Sequence, residues 1–191
     1  MTKVFLAAVF VATVLATGSD DDVVQRVHAR VVGFDVLADS CTDIFAGVPE
    51  AGSANFDFRY EIKGEPHGGR YSGRVTFSLG DVAIHVPRTI AWKGMAAGDR
   101  ERATAFRRAI YHHEAGHVRI AEAVRDTLNT ASTLAAPDYF AFDAAARAAG
   151  REGFERFRRE EREYDALTDH GRKQHLAPGE LAGLDTTLIC P

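Results

Sequence analysis

The chain has 191 residues and only two cysteines, Cys41 and Cys190. Their spacing matches no zinc–thiolate pattern, so a metal site of that kind is excluded. Excess positive charge is also missing. A net charge of -4 provides no basic field for nucleic acid or an anionic membrane, and no nucleic-acid partner is expected. Arg156, Arg158 and Arg159 do cluster, but they alternate with Glu155, Glu160 and Glu161, as on a solvated helix face. Internal repeats and low-complexity segments are absent. No apolar run reaches the roughly 20 residues that cross a bilayer. The longest, Val4 to Ala16, follows Met1-Thr2-Lys3.

That short cationic start, short apolar stretch and small residues up to Gly18 form the pattern of a secretory signal peptide. The expected organisation is a signal peptide over residues 1–18 and a single domain over 19–191. Asp20, Asp21 and Asp22 follow at once and suit a mature N-terminus outside the cytoplasm. An uncleaved N-terminal anchor is the alternative. No cysteine follows the apolar run, which excludes a lipid-modified N-terminal cysteine. A periplasmic or secreted location follows, with no stable membrane insertion after cleavage. In an oxidising compartment Cys41 and Cys190 are expected to pair. Closing so long a loop contributes about 3–5 kcal/mol in the chain-entropy model. Two buried free thiols are the alternative.

After the leader the sequence is β in character. Val23 to Val36 is rich in β-branched residues, and Val31–Val36 is the expected strand core. A short helical turn capped by Asp39 or Ser40 is expected next, then a loop from Gly47 to Ala54. Asn55 to Ile62 alternates polar and apolar, as a half-buried strand does. Lys63–Gly69 reads as a turn. Arg70–Leu79 and Asp81–Val86 read as two strands joined by a tight turn at Gly80-Asp81, with Pro87 ending the β half. From Asp99, a helix-capping residue, a helical pattern runs to Thr130. It carries Ile110, His113, His117, Ile120, Val124 and Leu128 on one stripe. Thr130–Pro137 reads as a linker. Asp138 caps a second helix, interrupted near Gly150 and Gly153, that runs to Thr168, and Gly171 marks its exit. The fold class is α+β: a small antiparallel sheet followed by two long packed helices, the first a zincin-like active-site helix.

The chemistry concentrates in His113-Glu114-Ala115-Gly116-His117. Residues four apart on a helix share a face about 5–6 Å apart at Cβ, so His113 and His117 can offer imidazole nitrogens to one zinc ion. Glu114 is rotated off that face. Its carboxylate suits a general base that takes a proton from water and returns it to a leaving amine. Gly116 costs helix propensity, and a small residue there leaves room for close packing or for a third-ligand segment. His112 reads as a flanking polar residue. A catalytic zinc needs a third protein ligand. A histidine six residues after the second is excluded, because position 123 is Ala123, and Glu122 points off the metal face. The ligand is therefore sought in the second helix or the loop after it. His170 is first choice and Asp165 second, the latter also suited to orienting a ligating imidazole. Glu160, Glu161 and Glu163 are read as a solvated face. Tyr164 is either a donor to a developing oxyanion or a core aromatic.

The stretch Val86-Pro87-Arg88 with Trp92, the motif His113-Glu114-x-Gly116-His117, and Tyr164-Asp165-x-x-Thr168-x-His170-Gly171-x-x-Gln174 together resemble a bacterial family. It is the domain-of-unknown-function family 922, described as predicted secreted zinc-dependent proteases. The resemblance runs from about Val31 to Gln174. It implies zinc and export more firmly than a substrate, and strengthens the expectation for His170.

The expected protein is a monomeric, exported zinc hydrolase of peptidase type. His113, His117 and His170 hold zinc, Glu114 is the base, Tyr164 assists, and a peptide or protein is the substrate. Two rivals stay open. One is a non-catalytic zinc-stabilised binding module with a closed four-ligand shell, for example one that includes both His170 and Asp165. The other is a metal-free structural domain.

Overall fold

The computed structural model describes residues 20–43 and 52–168. The leader over residues 1–18, most of the loop from Gly47, and His170, Gly171, Gln174 and Cys190 lie outside these residues. In order, the described elements are α1 (Asp20–Arg26), β1 (Arg30–Ala38), β2 (Ser53–His67), β3 (Arg70–Trp92), α2 (Ala97–Thr130), β4 (Thr133–Ala136) and α3 (Tyr139–Thr168). The α+β class holds, with a four-stranded sheet and two long helices. β3 is the central strand. β2 runs antiparallel to it, β4 pairs antiparallel with Tyr71–Arg74, and β1 runs parallel to its C-terminal half. The sheet is therefore mixed rather than wholly antiparallel.

The segment from Val23, expected to be β, is instead the helix α1. Asp21 and Asp22 lie in its first turn, where acidic groups complement the helix dipole. Its adjacent valines, Val23 and Val24, are both buried against Val82, Ile84, Val86, Ile110, Ala115 and Val118. Burial of these two side chains overrides their β propensity. α1 ends with His28 in the left-handed region (φ 53). Ala29 N–H donates to Val24 O at 2.9 Å and His28 N–H to Gln25 O at 3.1 Å, a Schellman closure. Farther on, Ser40 Oγ accepts the Asp43 N–H at 3.4 Å, in the turn expected there.

The hairpin joining β2 and β3 is tighter than expected. Only Gly68 and Gly69 turn, both at positive φ (58 and 77), as a two-residue primed turn requires. β2 continues through Lys63–His67 because Gly64 stands opposite Gly73. A Cβ at either would lie 2.5 or 2.7 Å from the Phe142 ring, which occupies that space.

Gly80-Asp81 is a bulge within one continuous strand, not a turn between two. Pairing passes from Asn55↔Ala83 to Asp57↔Gly80, leaving one extra residue on β3, and Asp81 takes φ 49. The inserted residue switches which parity faces the helices. Val75 and Phe77 are buried before it, Val82, Ile84 and Val86 after it. Pro87 likewise does not end the strand. It pairs with Phe34 just before a second register shift, and a bulge tolerates a residue without an N–H.

α2 starts at Ala97, two residues before the expected cap. Asp99 sits inside its first turn and accepts the Ala96 N–H at 3.0 Å. The expected linker after α2 contains β4. Asn129 ties the end of α2 to the sheet, accepting from Phe77 N–H at 2.7 Å and donating to Phe77 O at 2.9 Å. Asp138 does cap α3, through the Ala141 N–H at 2.9 Å. α3 runs unbroken through Gly150 and Gly153, where a Cβ would lie 2.5 Å from the Tyr60 ring and 2.6 Å from the Phe77 ring. These glycines bring the helix down onto the sheet. The Phe58 and Phe157 rings stack at 4.9 Å, and Phe154 meets Phe58 edge-on at 5.5 Å. Both long helices thus cover one face of the sheet. Arg59, Glu61, Lys63, Thr76 and Ser78 on the other face are exposed. Cys41 is buried beside Val36, Ile90 and Ala103. Among the described residues no helix is long and apolar enough to cross a membrane.

α1 is also held by charge. Arg26 Nε and Nη2 each donate to one Glu122 oxygen at 2.8 Å, a bidentate fork. The Arg26 hydrogen bond holds the Glu122 carboxyl below its ordinary value against the opposing effect of burial. A depressed carboxylate pKa adds stability above the unfolded value near 4.5, and that stability is lost as pH falls through the folded value. Arg26→Gln is therefore expected to lower the thermal midpoint by a few degrees at pH 7. The gap to the parent should narrow as pH falls below about 4.5. Midpoints measured by circular dichroism across that range test this, and a gap independent of pH would refute it.

Candidate metal centre

Every residue from His113 to Val118 is buried. A helix on a sheet normally buries one stripe, so α2 must be covered on two sides here. Ala115 and Val118 face α1 and β3 in the core. His113, Gly116 and His117 face α3.

α3 meets them with four residues at helical spacing: Glu161, Tyr164, Asp165 and Thr168. Asp165 Oδ1 lies 3.4 Å from His113 Nε2 and 3.1 Å from His117 Nε2. The two Nε2 atoms are 3.2 Å apart. The three atoms form a nearly equilateral triangle. Ligands about 2.0–2.1 Å from a tetrahedral ion stand about 3.3–3.4 Å apart, so the triangle has the dimensions of three corners of such a shell. His113, His117 and Asp165 are the one group of this kind among the described residues. Asp165, the second choice from sequence, stands in the third-ligand position. His170, the first choice, lies outside the described residues.

The far side of each imidazole is also engaged. Thr168 Oγ1 donates to Tyr164 O at 2.8 Å and lies 3.2 Å from His113 Nδ1. With its hydrogen on Tyr164 O, the hydroxyl can accept an Nδ1–H, the tautomer in which the His113 Nε2 lone pair faces Asp165 and His117. His117 Nδ1 lies 3.1 Å from Glu161 Oε2, off the line of a straight hydrogen bond. Burial disfavours the charged form of His117. The carboxylates of Glu161, Asp165 and Glu114 outweigh that, and its pKa is raised. Reading Glu161 as part of a solvated face is corrected here, since its carboxylate faces His117. Nothing in its local sequence separates it from Glu160 or Glu163. The helical spacing from Asp165 is the one signal that could have found it.

Tyr164 lies flat against His113, with rings 5.1 Å apart and 10° from parallel. Its hydroxyl donates to His113 O at 3.3 Å. In this arrangement it braces the ring and backbone of His113. Glu114 is buried at 6% exposure beneath Gly52, where a Cβ would stand 3.0 Å from Glu114 Oε1. His112 lies outside the cluster, in edge contact with Tyr111 at 5.7 Å.

Gly116 sits where the helices approach. A Cβ there would lie 2.0 Å from Tyr164 Oη, closer than any contact allows. Gly116→Ala should therefore destabilise the protein by about 1–3 kcal/mol, although alanine is the better helix former by about 1 kcal/mol. In a Tyr164→Ala background the overlap is gone and the same change should become stabilising. Denaturant titration of the four proteins in this cycle tests the reversal of sign. The same sign in both backgrounds would refute the wedge.

The family model described as bacterial protein of unknown function (DUF922) matches residues 40–171. No curated protein and no solved structure matches the chain. The matched span contains His113, Glu114 and His117 on α2 together with Glu161, Asp165 and Thr168 on α3. The chain belongs to this family of bacterial proteins of unknown function.

Proposed function

We propose that the protein is an exported zinc-dependent hydrolase acting on peptide bonds, with His113, His117 and Asp165 as metal ligands and Glu114 as general base. One observation carries the reading: three atoms able to ligate a metal converge within 3.1–3.4 Å of one another in a largely buried site. Acceptor atoms that converge repel one another, and a cation among them turns that repulsion into attraction. Two imidazoles and a carboxylate are a donor set that suits zinc. When bound in such a site, zinc lowers the pKa of water towards about 7 and polarises a carbonyl.

The chain's own residues supply the rest. Among the described residues three ligand atoms converge, the number of protein ligands a catalytic zinc site uses beside water. Glu114 adjoins the histidine face and is buried, so its carboxylate is the group to take a proton from the attacking water and hand it to the leaving nitrogen. Gly52, just before β2, lets the backbone pass close over that carboxylate. The non-catalytic module needs a fourth protein ligand, whereas among the described residues three converge. Export through the leader over residues 1–18 and a Cys41–Cys190 disulfide belong to the same proposal.

Elemental analysis of the dialysed mature protein should find about one zinc per chain. Asp165→Ala should lose it and His170→Ala should keep it. Glu114→Gln should keep metal and fold while losing at least about a hundredfold in hydrolysis of a mixed-peptide substrate. Zinc kept by Asp165→Ala but lost by His170→Ala would overturn the ligand assignment. A parent without zinc would overturn the hydrolase reading.

A further inference from the structure

We propose that Glu161 and Thr168 are positioning residues that each hold the Nδ1–H of one ligand histidine, so that both Nε2 lone pairs face the metal position. The proposal rests on the metal reading above and extends it to residues outside the ligand set.

A neutral imidazole carries one N–H, and the nitrogen that keeps it cannot ligate. If either ring placed its hydrogen on Nε2, one corner of the triangle would be blocked. Asp165 Oδ1 and the facing Nε2 compete for that hydrogen from the inner side, so the outer partners have to hold it more strongly. The Thr168 hydroxyl has spent its hydrogen on Tyr164 O at 2.8 Å, so towards His113 Nδ1, 3.2 Å away, it offers only a lone pair. An ionised glutamate is an acceptor at both oxygens. Glu161 Oε2 is 3.1 Å from His117 Nδ1. Its Oε1 is buried and has no hydrogen-bond partner among the described residues, so no competing donor draws the carboxylate away. His117 Nδ1 and this carboxylate are not aligned as a hydrogen bond here, so holding the N–H requires the carboxylate to turn towards it. Both outer groups come from the α3 face that carries Asp165, two turns of helix apart. One rigid element therefore sets the third ligand and both tautomers. The two supports differ in kind, with a neutral hydroxyl behind His113 and a full negative charge behind His117. Removing the charge should cost more.

The test uses the folded mature protein, with zinc alone as the probe. Zinc affinity is measured by competition with a chromophoric chelator. Ring-nitrogen NMR of the metal-free protein reads the tautomers at alkaline pH, where both rings are neutral. Glu161→Ala should weaken zinc by about 10–100-fold, and Glu161→Gln, which keeps an acceptor oxygen, by less. Thr168→Val should weaken it by up to about 10-fold, with Thr168→Ser restoring it. The parent should show Nδ1–H on both histidines, and Glu161→Ala a mixture at His117. If Glu161→Ala does not fold, the Glu161→Gln measurement and the Thr168 pair decide the matter. Affinities of the Glu161 variants and Thr168→Val within twofold of the parent, or an Nε2–H tautomer in the parent, would overturn the proposal. A parent that binds no zinc yet shows both Nδ1–H tautomers would sink the metal reading and leave the positioning geometry standing.

Discussion

The candidate site depends on how closely α2 and α3 can approach, and Gly116 sets that distance. Tyr164 Oη occupies the space in which a side chain at position 116 would begin. The closeness places the Tyr164 ring flat on His113 and puts Asp165, one residue on, within 3.4 Å of both Nε2 atoms. A wider separation would leave two histidines on one helix and a carboxylate on another, with no shared point between them. The helix-propensity cost of glycine, about 1 kcal/mol, is offset by contacts that form only when the helices touch.

α3 performs two tasks along one stripe. Phe142, Ala146, Gly150, Gly153 and Phe157 seat the helix on the sheet. The same stripe then turns polar as Glu161, Tyr164, Asp165 and Thr168. Phe157, stacked on Phe58, lies one turn before Glu161, so the sheet fixes the height and rotation of the polar segment. α2 is located independently, by α1 through Val23, Val24 and the Arg26–Glu122 fork and by Asn129 on the Phe77 backbone. Two helices anchored separately to one sheet give the pre-organisation that a metal site or a catalytic constellation requires.

Local patterns were legible in the sequence where local physics decides the outcome. The i, i+4 spacing put His113 and His117 on one face, Asp138 announced α3, and α3 reaches Thr168, the last described residue of that segment. The small residue at 116 announced a close approach without naming its partner. Other features depend on tertiary pairing. Gly80-Asp81 has the composition of a turn, and only the unequal lengths of β2 and β3 make it a bulge. Val23-Val24 has strand propensity, and only the surface of α2 makes a helix the better way to bury it. Glu161 is chemically indistinguishable from Glu160 and Glu163 until α2 lies beside it. The place of Asp165 also depends on helix phase, since it shares a face with Glu161, Tyr164 and Thr168, while His170 lies outside the described residues.

Charge balance distinguishes the carboxylates around His117. Glu161, Asp165 and Glu114 all act on it, and so many negative charges in a mostly buried place would repel one another. On the proposed reading a dication offsets two of them. Asp165 is committed as a ligand and Glu161 as the acceptor behind His117, so the remaining negative charge belongs to Glu114. On that reading α2 places Glu114 beside the histidine pair without making it a third ligand. On the proposed reading, position on the two helices separates three chemically similar groups into a ligand, a support and a base.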